Sequence, residues 1–418
     1  MKKFDWNARL LTVAILLISL LGILLITRGG EPDFYAFILT LFATCSMFFC
    51  ARFFPKHGVS DPLLITLVCF LGSFGTLYQY GFKIGLSGMM QGGFYLIGLF
   101  LFFGASRLTP KLRDIEGARK WIWLISVVVL VIPFMFDPVN KTHQWIPLGF
   151  IGLPISVQPS ELVKALMIIL LADILKDKNL PHPIFSACVI AASFIAIIIL
   201  QRDYGAVLLY FVVAFTMIYI AAPKFRILAA GLTTGVASGF IMHHFSERIQ
   251  KRFALLKNPF GSFAGDGYQP SLSLMALANG GSMGKGLGLG TGTSIPMYDT
   301  DFVFPVICED FGFIFGLVLL LIYLLLTLRV LGIARRARTR HHAMIATACG
   351  VLIGFQTFLI VGGAINMVPL TGVTLPFISA GGSSTVTLMA LLGVVAGIGV
   401  SESDASRGAY SIDYVADA

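Results

Sequence analysis

The sequence predicts an all-α polytopic membrane protein of about twelve transmembrane helices, both termini cytoplasmic, with a large extracytoplasmic loop before the tenth span. Three observations predict it. Of 418 residues, 57% are hydrophobic and 12% charged, more apolar than a soluble domain needs. Apolar stretches recur near the roughly 20-residue length that crosses a bilayer as a helix. Lysine and arginine gather in alternate connections, the asymmetry that orients membrane proteins.

The first six segments are 9–27, 33–52, 61–79, 88–105, 119–136 and 160–176. The second six are 184–200, 204–222, 226–243, 302–328, 342–366 and 382–400. The first follows MKKFDWNAR and resembles a signal sequence. No small-residue cleavage site follows it, so it reads as an uncleaved span. With the N-terminus inside, the inner connections carry roughly 20 of the 30 Lys and Arg residues, among them Lys2, Lys3, Lys56, Lys178 and the run Arg335, Arg336, Arg338, Arg340. The short outer loops carry only Arg28, Lys83, Lys141 and Arg202. The net charge of +9 is therefore a topology signal and excludes nucleic acid as its explanation. The six cysteines lie in apolar segments without metal-ligand spacing and read as buried thiols. The tail 401–418 is polar and reads as disordered.

Two outer loops stand apart. One, about 137–158, contains KTHQWIPLGF. The other, about 244–301, is long enough to be functional. Its FSERIQKRFALLKNPF has helical periodicity, with Phe245, Ile249, Phe253 and Leu256 on one face and Arg248, Lys251 and Arg252 around it. This is an interfacial helix on the outer leaflet, or a solvated helix packed on its neighbours. GGSMGKGLGLGTG, 280–292, follows no strand, so it is not a nucleotide phosphate loop. Its glycines suit backbone that approaches a ligand or another helix closely.

Four constellations carry chemistry. In QPSELVKA, Pro159 suits a first helical turn, and Glu161 and Lys164 sit three apart on one face inside the membrane. They are a self-neutralising pair that holds the fold, a charge pair lining a cavity, or both. In QRDYG, Asp203 either caps the eighth helix or contacts substrate. In NMVPLTGVTLPFISAGGSS, Pro369, Pro376 and three glycines forbid a continuous helix. Such backbone at membrane depth lines a wet cavity or is covered by protein. A re-entrant segment would offer Thr371, Ser379, Ser383 and Ser384 as polar contacts, and a purely structural turn is the alternative.

The fourth, YDTDFVFPVICEDFG, places Asp299 and Asp301 at the outer mouth of span ten and Glu309 and Asp310 two to three turns deeper. Ionisable groups in hydrocarbon are costly and mark function. A helix start keeps Asp301 ionised, as a general base facing an outward cavity must be. Glu309 or Asp310 is expected to pair with a basic group such as Lys164.

Together these motifs resemble the SEDS family, which includes the RodA and FtsW proteins. QWIPLG, QPSELVKA, QRDYG, the GYQ…SLMALANGGSMGKGLGLG run, TDFVFPVICEDFG and NMVPLTGVTLPFISAGGSS occur in the family's order over about 120–400. The resemblance implies a peptidoglycan glycosyltransferase that polymerises lipid II at the outer face of a bacterial cytoplasmic membrane, working with a class B penicillin-binding protein. It places the family's essential aspartate on Asp301 and its important outer-loop tryptophan on Trp145. Gln158, Gln269 and Thr300 lie inside matching motifs. A ten-span family core implies two extra spans within 1–118, a catalytic membrane core over 119–400, and the tail. The chain departs from the pattern at Thr142, His143 and Gln144, at Arg202 and Tyr204, at Leu272, at Asp299 (usually histidine) and at Ala380 (usually tyrosine).

The implied chemistry needs a base for the acceptor hydroxyl, cations for the leaving diphosphate, and an apolar groove for the lipid. Asp301 supplies the first, with Asp299 tuning it by like-charge repulsion. Arg248, Lys251, Arg252, Lys257 and Lys285 are the cations available for the second. No dedicated cofactor is expected; a divalent cation, Mg2+ or Mn2+, sharing the diphosphate charge is the alternative. A lipid-linked precursor flippase and a non-catalytic scaffold for a penicillin-binding protein are the competing functions.

Overall fold

The computed structural model describes residues 6–28, 31–53, 61–113, 115–138, 142–149, 155–177 and 180–408. Lys2, Lys3, Lys56, Lys141 and Lys178, and residues 409–418 of the tail, lie outside that set. The described residues form a helical bundle whose helices stand on all twelve apolar segments. In chain order these begin with α1 (Trp6–Thr27), α2 (Phe34–Phe53), α3 (Pro62–Tyr80), α4 (Met90–Leu108), α5 (Arg119–Val131), α6 (Pro159–Lys176), α7 (Pro183–Leu200), α8 (Tyr204–Ala221) and α9 (Phe225–Phe245). The long loop folds into α10 (Glu247–Lys257) and α11 (Tyr268–Gly280), and the bundle closes with α12 (Val303–Arg336), α13 (Arg340–Ala364) and α14 (Gly382–Gly408). Among the described residues, nine helices have the length and apolarity to cross a membrane.

Local chemistry sets the helix starts. Asp61 accepts from Leu63 N and Leu64 N ahead of Pro62, and Asp203 accepts from Ala206 N to cap α8. Pro159 and Pro183 occupy first turns, where the missing N–H costs nothing. α3 is the most enclosed helix, packed by α1, α2, α4 and α12. Leu16, Leu20 and Ile23 of α1, by contrast, face outward, as a bilayer solvent permits.

One end of the bundle is tied by charge. Arg329 holds Asp61 at 2.6 Å, and Arg119 bridges Asp173 and Asp177 at 2.5 and 2.9 Å. The other end carries the long loops and the candidate site.

Three expectations are corrected. The tenth segment is not one helix: Gly312, at φ +88°, breaks α12 into a short half-helix and a long one. Residues 401–408 continue α14 instead of starting a disordered tail, the helix running through Gly393, Gly397 and Gly399 to Gly408. Of the six cysteines, Cys45 and Cys188 lie on the bundle surface and the other four are buried.

Candidate active site

The break at Gly312 organises the site. A helix that stops inside a bundle leaves carbonyls that need partners. The glycine-rich run supplies them: Lys285 N donates to Glu309 O and Gly286 N to Asp310 O, at 2.8 and 2.9 Å. The chain then passes so close that a Cβ on Gly312 would lie 2.3 Å from Ser282 O. Glycine satisfies both the left-handed φ and the contact.

The same run wraps the two deeper acids. Glu309 Oε1 accepts from Thr291 N, Thr291 Oγ1 and Asn279 Nδ2 at 3.1, 3.2 and 3.3 Å, with Lys285 Nζ 3.8 Å away. Asp310 accepts from Gly288 N at 2.9 Å and from Tyr78 Oη at 2.8 Å. The expected pairing with Lys164 does not occur. Lys164 instead holds Glu161 at 2.9 Å within α6, the partner that one helical turn brings closest. The glycine-rich run thus approaches a broken helix closely.

Asp301 stands at the opposite end of the half-helix, in the turn before it, and lines a cavity of about 170 Å³. Each wall comes from a different element. β1 (Ile146–Pro147) pairs antiparallel with β2 (Ser156–Val157), in the register Ile146↔Val157. The residues flanking this ladder, Trp145 and Gln158, both reach the cavity wall. α6 contributes Glu161, the start of α8 contributes Asp203, and α10 contributes Arg248 and Arg252. The 366–381 segment is non-helical backbone and contributes Thr371, Gly372 and Thr374. Gly372 has φ +76°, and a Cβ there would lie 3.7 Å from Asp301 Oδ2.

Hydrogen bonds stiffen this wall. Asp203 has both roles open to it: besides capping α8, it accepts from Gln158 Nε2 at 3.0 Å. With its amide oriented to satisfy both neighbours, Gln144 donates to Asp203 Oδ2 at 2.8 Å and accepts from Trp145 Nε1 at 3.0 Å. Gln158 N donates to Ser383 Oγ at 3.1 Å. Ser379 is buried, its hydroxyl donating to Thr300 O and accepting from Leu375 N, so it fastens this non-helical segment to the Asp301 turn. The Thr371 hydroxyl oxygen, in the cavity wall, is buried without a hydrogen-bond partner.

The electrostatics are those of a carboxylate in a confined, cation-lined space. Burial pushes the Asp301 carboxyl up to about 6, against Arg252 and the Thr300 hydroxyl, which favour its charge, while Asp299 and Asp203 add to the rise. Burial, and then Arg248, lower the proton affinity of Arg252. Burial likewise raises Asp203. Among the described residues no group of three or more His, Cys, Asp or Glu side chains is placed to hold a metal ion.

Of the sequence-predicted residues, Asp301, Trp145, Gln158, Glu161, Arg248, Arg252, Thr300 and Thr371 meet at this cavity. Ser383 and Ser384 line a neighbouring one, with Trp145 and Gln158 common to both. Gln269 and Lys285 are absent from both walls, the latter being drawn to Glu309 by the glycine-rich run. Lys251 is absent from the cavity wall, its Nζ lying 3.3 Å from the exposed Asp266. Gln144, Gln79 and Lys83 were missed. Gln79 Nε2 donates to Asp299 O and Ile378 O, at 2.8 and 2.7 Å, and so ties α3 to both site segments. Only contacts more than two hundred residues apart reveal its role.

The family model described as "Cell cycle protein", covering FtsW, RodA and SpoVE, matches residues 63–404. The chain belongs to this family. Its α1 and α2 precede the residues matched to the FtsW/RodA/SpoVE model. Among family relatives, the peptidoglycan glycosyltransferase RodA of Mycobacterium tuberculosis is 27% identical over 429 residues, covering 94% of this chain and 90% of the relative. The probable peptidoglycan glycosyltransferase FtsW of Lactococcus lactis subsp. lactis is 31% identical over 360 residues, covering 76% and 84%. The fold matches a chain from the structure titled "Structural coordination of polymerization and crosslinking by a peptidoglycan synthase complex" with a TM-score of 0.70. That match has 23% identity and covers 82% of this chain and 98% of the other.

Proposed function

We infer that this family member is a peptidoglycan glycosyltransferase that polymerises lipid II into glycan strands in cell elongation, division or sporulation. The observation that carries the reading is Asp301, a carboxylate poised near neutrality on the wall of a polar cavity that Arg248 and Arg252 also line. An acceptor sugar hydroxyl attacks the anomeric carbon of the donor. Its proton passes to Asp301, the new glycosidic bond forms, the bond from that carbon to the diphosphate oxygen breaks, and undecaprenyl diphosphate leaves. Arg248 and Arg252 balance the leaving charge. Trp145 offers a flat apolar face to a sugar ring, and the unpartnered Thr371 hydroxyl offers it a hydrogen bond.

The distribution of Lys and Arg supports twelve spans, of which α1 and α2 precede the family core, with both ends cytoplasmic and the cavity opening outward. We place the protein in the bacterial cytoplasmic membrane beside a class B penicillin-binding protein. The exposed apolar sides of the bundle suit surrounding membrane lipids and the undecaprenyl chains.

Reconstitution of the full chain with labelled lipid II tests the reading, with the Asp301→Asn protein as control. Glycan chains from the parent and none from the variant are expected. Leaflet exchange of lipid II without chains would mean a flippase, and neither activity would mean a scaffold.

A further inference from the structure

The Asp301 cavity has a neighbour of about 250 Å³, and Trp145, Gln158, Thr374 and Ala380 form the wall that separates them. Among its described lining residues the neighbour holds one charged side chain, Lys83. Lys83 stands in the connection between α3 and α4, in none of the motifs that single out the site. Its Nζ lies 2.9 Å from Asp299 Oδ2, with the lysine side chain 51% exposed and the carboxylate 16% exposed. Asp299 itself is held by its backbone, whose carbonyl accepts from Gln79 Nε2 and from Ala380 N. The carboxylate is therefore anchored, and the lysine reaches to it from a loop.

Such a pair is easily opened. A half-exposed lysine–carboxylate contact contributes only about 0–1 kcal/mol, and an ammonium has three donors, of which Asp299 takes one. Asp299 also raises the proton affinity of Lys83 through their hydrogen bond, so the lysine stays cationic. The rest of the neighbouring cavity suits an anion carried on a lipid. The Ser383 and Ser384 hydroxyls each accept one hydrogen bond, from Gln158 N and Thr374 Oγ1, and keep a proton to donate; the first turn of α14 offers N–H groups with no intrahelical acceptor, and Met90 and Phe94 form an apolar side.

A transferase that joins two lipid-linked sugars must seat two diphosphates, one departing with the donor and one retained by the acceptor. Arg248 and Arg252 line only the first cavity. We propose that Lys83 binds the diphosphate of the second lipid-linked substrate in the neighbouring cavity, exchanging Asp299 for the incoming anion. The inference rests on the polymerase reading and assigns a second substrate subsite to it. The Trp145–Gln158–Thr374–Ala380 wall then separates the two diphosphates, while the sugars meet at its rim near Asp301.

The test titrates labelled lipid II into the purified full-length Asp301→Asn protein, where binding proceeds without turnover. Two lipid II molecules per chain are expected. Adding Lys83→Met should weaken one of them roughly 10- to 100-fold, while Lys83→Arg should restore it. Asp299→Asn, which removes the competing carboxylate, should leave the second site as tight or tighter. In the active protein Lys83→Met should raise KM for lipid II by roughly tenfold or more. A folded Lys83→Met protein with two unweakened sites and an unchanged KM overturns the proposal. So does an equal loss of Tm in Lys83→Met and Asp299→Asn with binding untouched, since the pair would then only hold the loop. A parent protein that makes no glycan refutes the polymerase reading instead, and the two failures are distinguished by which protein shows them.

Discussion

Two pairs of acids lie within one fifteen-residue stretch, and the structure treats them oppositely. Glu309 and Asp310 are enclosed by backbone N–H groups, hydroxyls and an amide of their own chain. Asp301 looks into a void and draws its electrostatic balance from Arg252 across it, with Asp299 two residues away paired to Lys83. Residue type and segment are the same in both pairs. The difference is that Glu309 Oε1 and both Asp310 oxygens meet donors of the protein itself, whereas Asp301 faces a cavity. Internal hydrogen bonds give Glu309 and Asp310 an architectural place, and a carboxylate poised at a cavity makes Asp301 the candidate for chemistry.

The comparison breaks most visibly at Asp301. Asp301→Asn should lower polymerisation by about 10²–10⁴-fold, the usual worth of a general base, with Tm unchanged; initial rates and thermal unfolding of the same preparation check it. Glu309→Ala should do the reverse. It orphans buried donors such as Thr291 N–H at about 1–3 kcal/mol each, so Tm falls, and the residual rate per folded molecule stays close to the parent's.

A finer effect concerns pH. Asp301 as the proposed base must be ionised, and its carboxyl sits at about 6, so kcat/KM should fall as pH drops through about 6. Arg252 favours the charged form. Arg252→Met should therefore move that acid limb upward, by about one pH unit, in a pH–rate profile. An unmoved limb would mean that Arg252 does not act on Asp301. The smallest effect belongs to Lys251, whose exposed side chain meets Asp266 and does not line the cavity. Lys251→Ala should leave both rate and lipid II affinity unchanged in the same assays.

Helix positions were legible because they follow from composition: a run of apolar residues near membrane length can satisfy its backbone only as a helix. Asp301, Glu161 and Asp203 were legible because each is a polar residue at a helix end or inside an apolar run, where its cost implies a use; Trp145 came from the family resemblance alone. Lys83 and Gln79 carry no such signal, and Gln144 stands out in the sequence only as a departure from the family's pattern. They are ordinary polar residues in or beside loops, and their roles arise only when distant elements meet.

The sequence by itself determined the membrane class, the helical segments, the side on which charge collects and the identity of the acid at the mouth of α12. Those properties are local, set by hydropathy, charge and helix-end chemistry over short windows. Tertiary structure alone decided that Lys164 pairs within its own helix, that the glycine-rich run caps a broken helix, and that two cavities share the wall containing Trp145. Which partner a charge takes depends on distances between elements far apart in the chain, and those are set when the bundle packs.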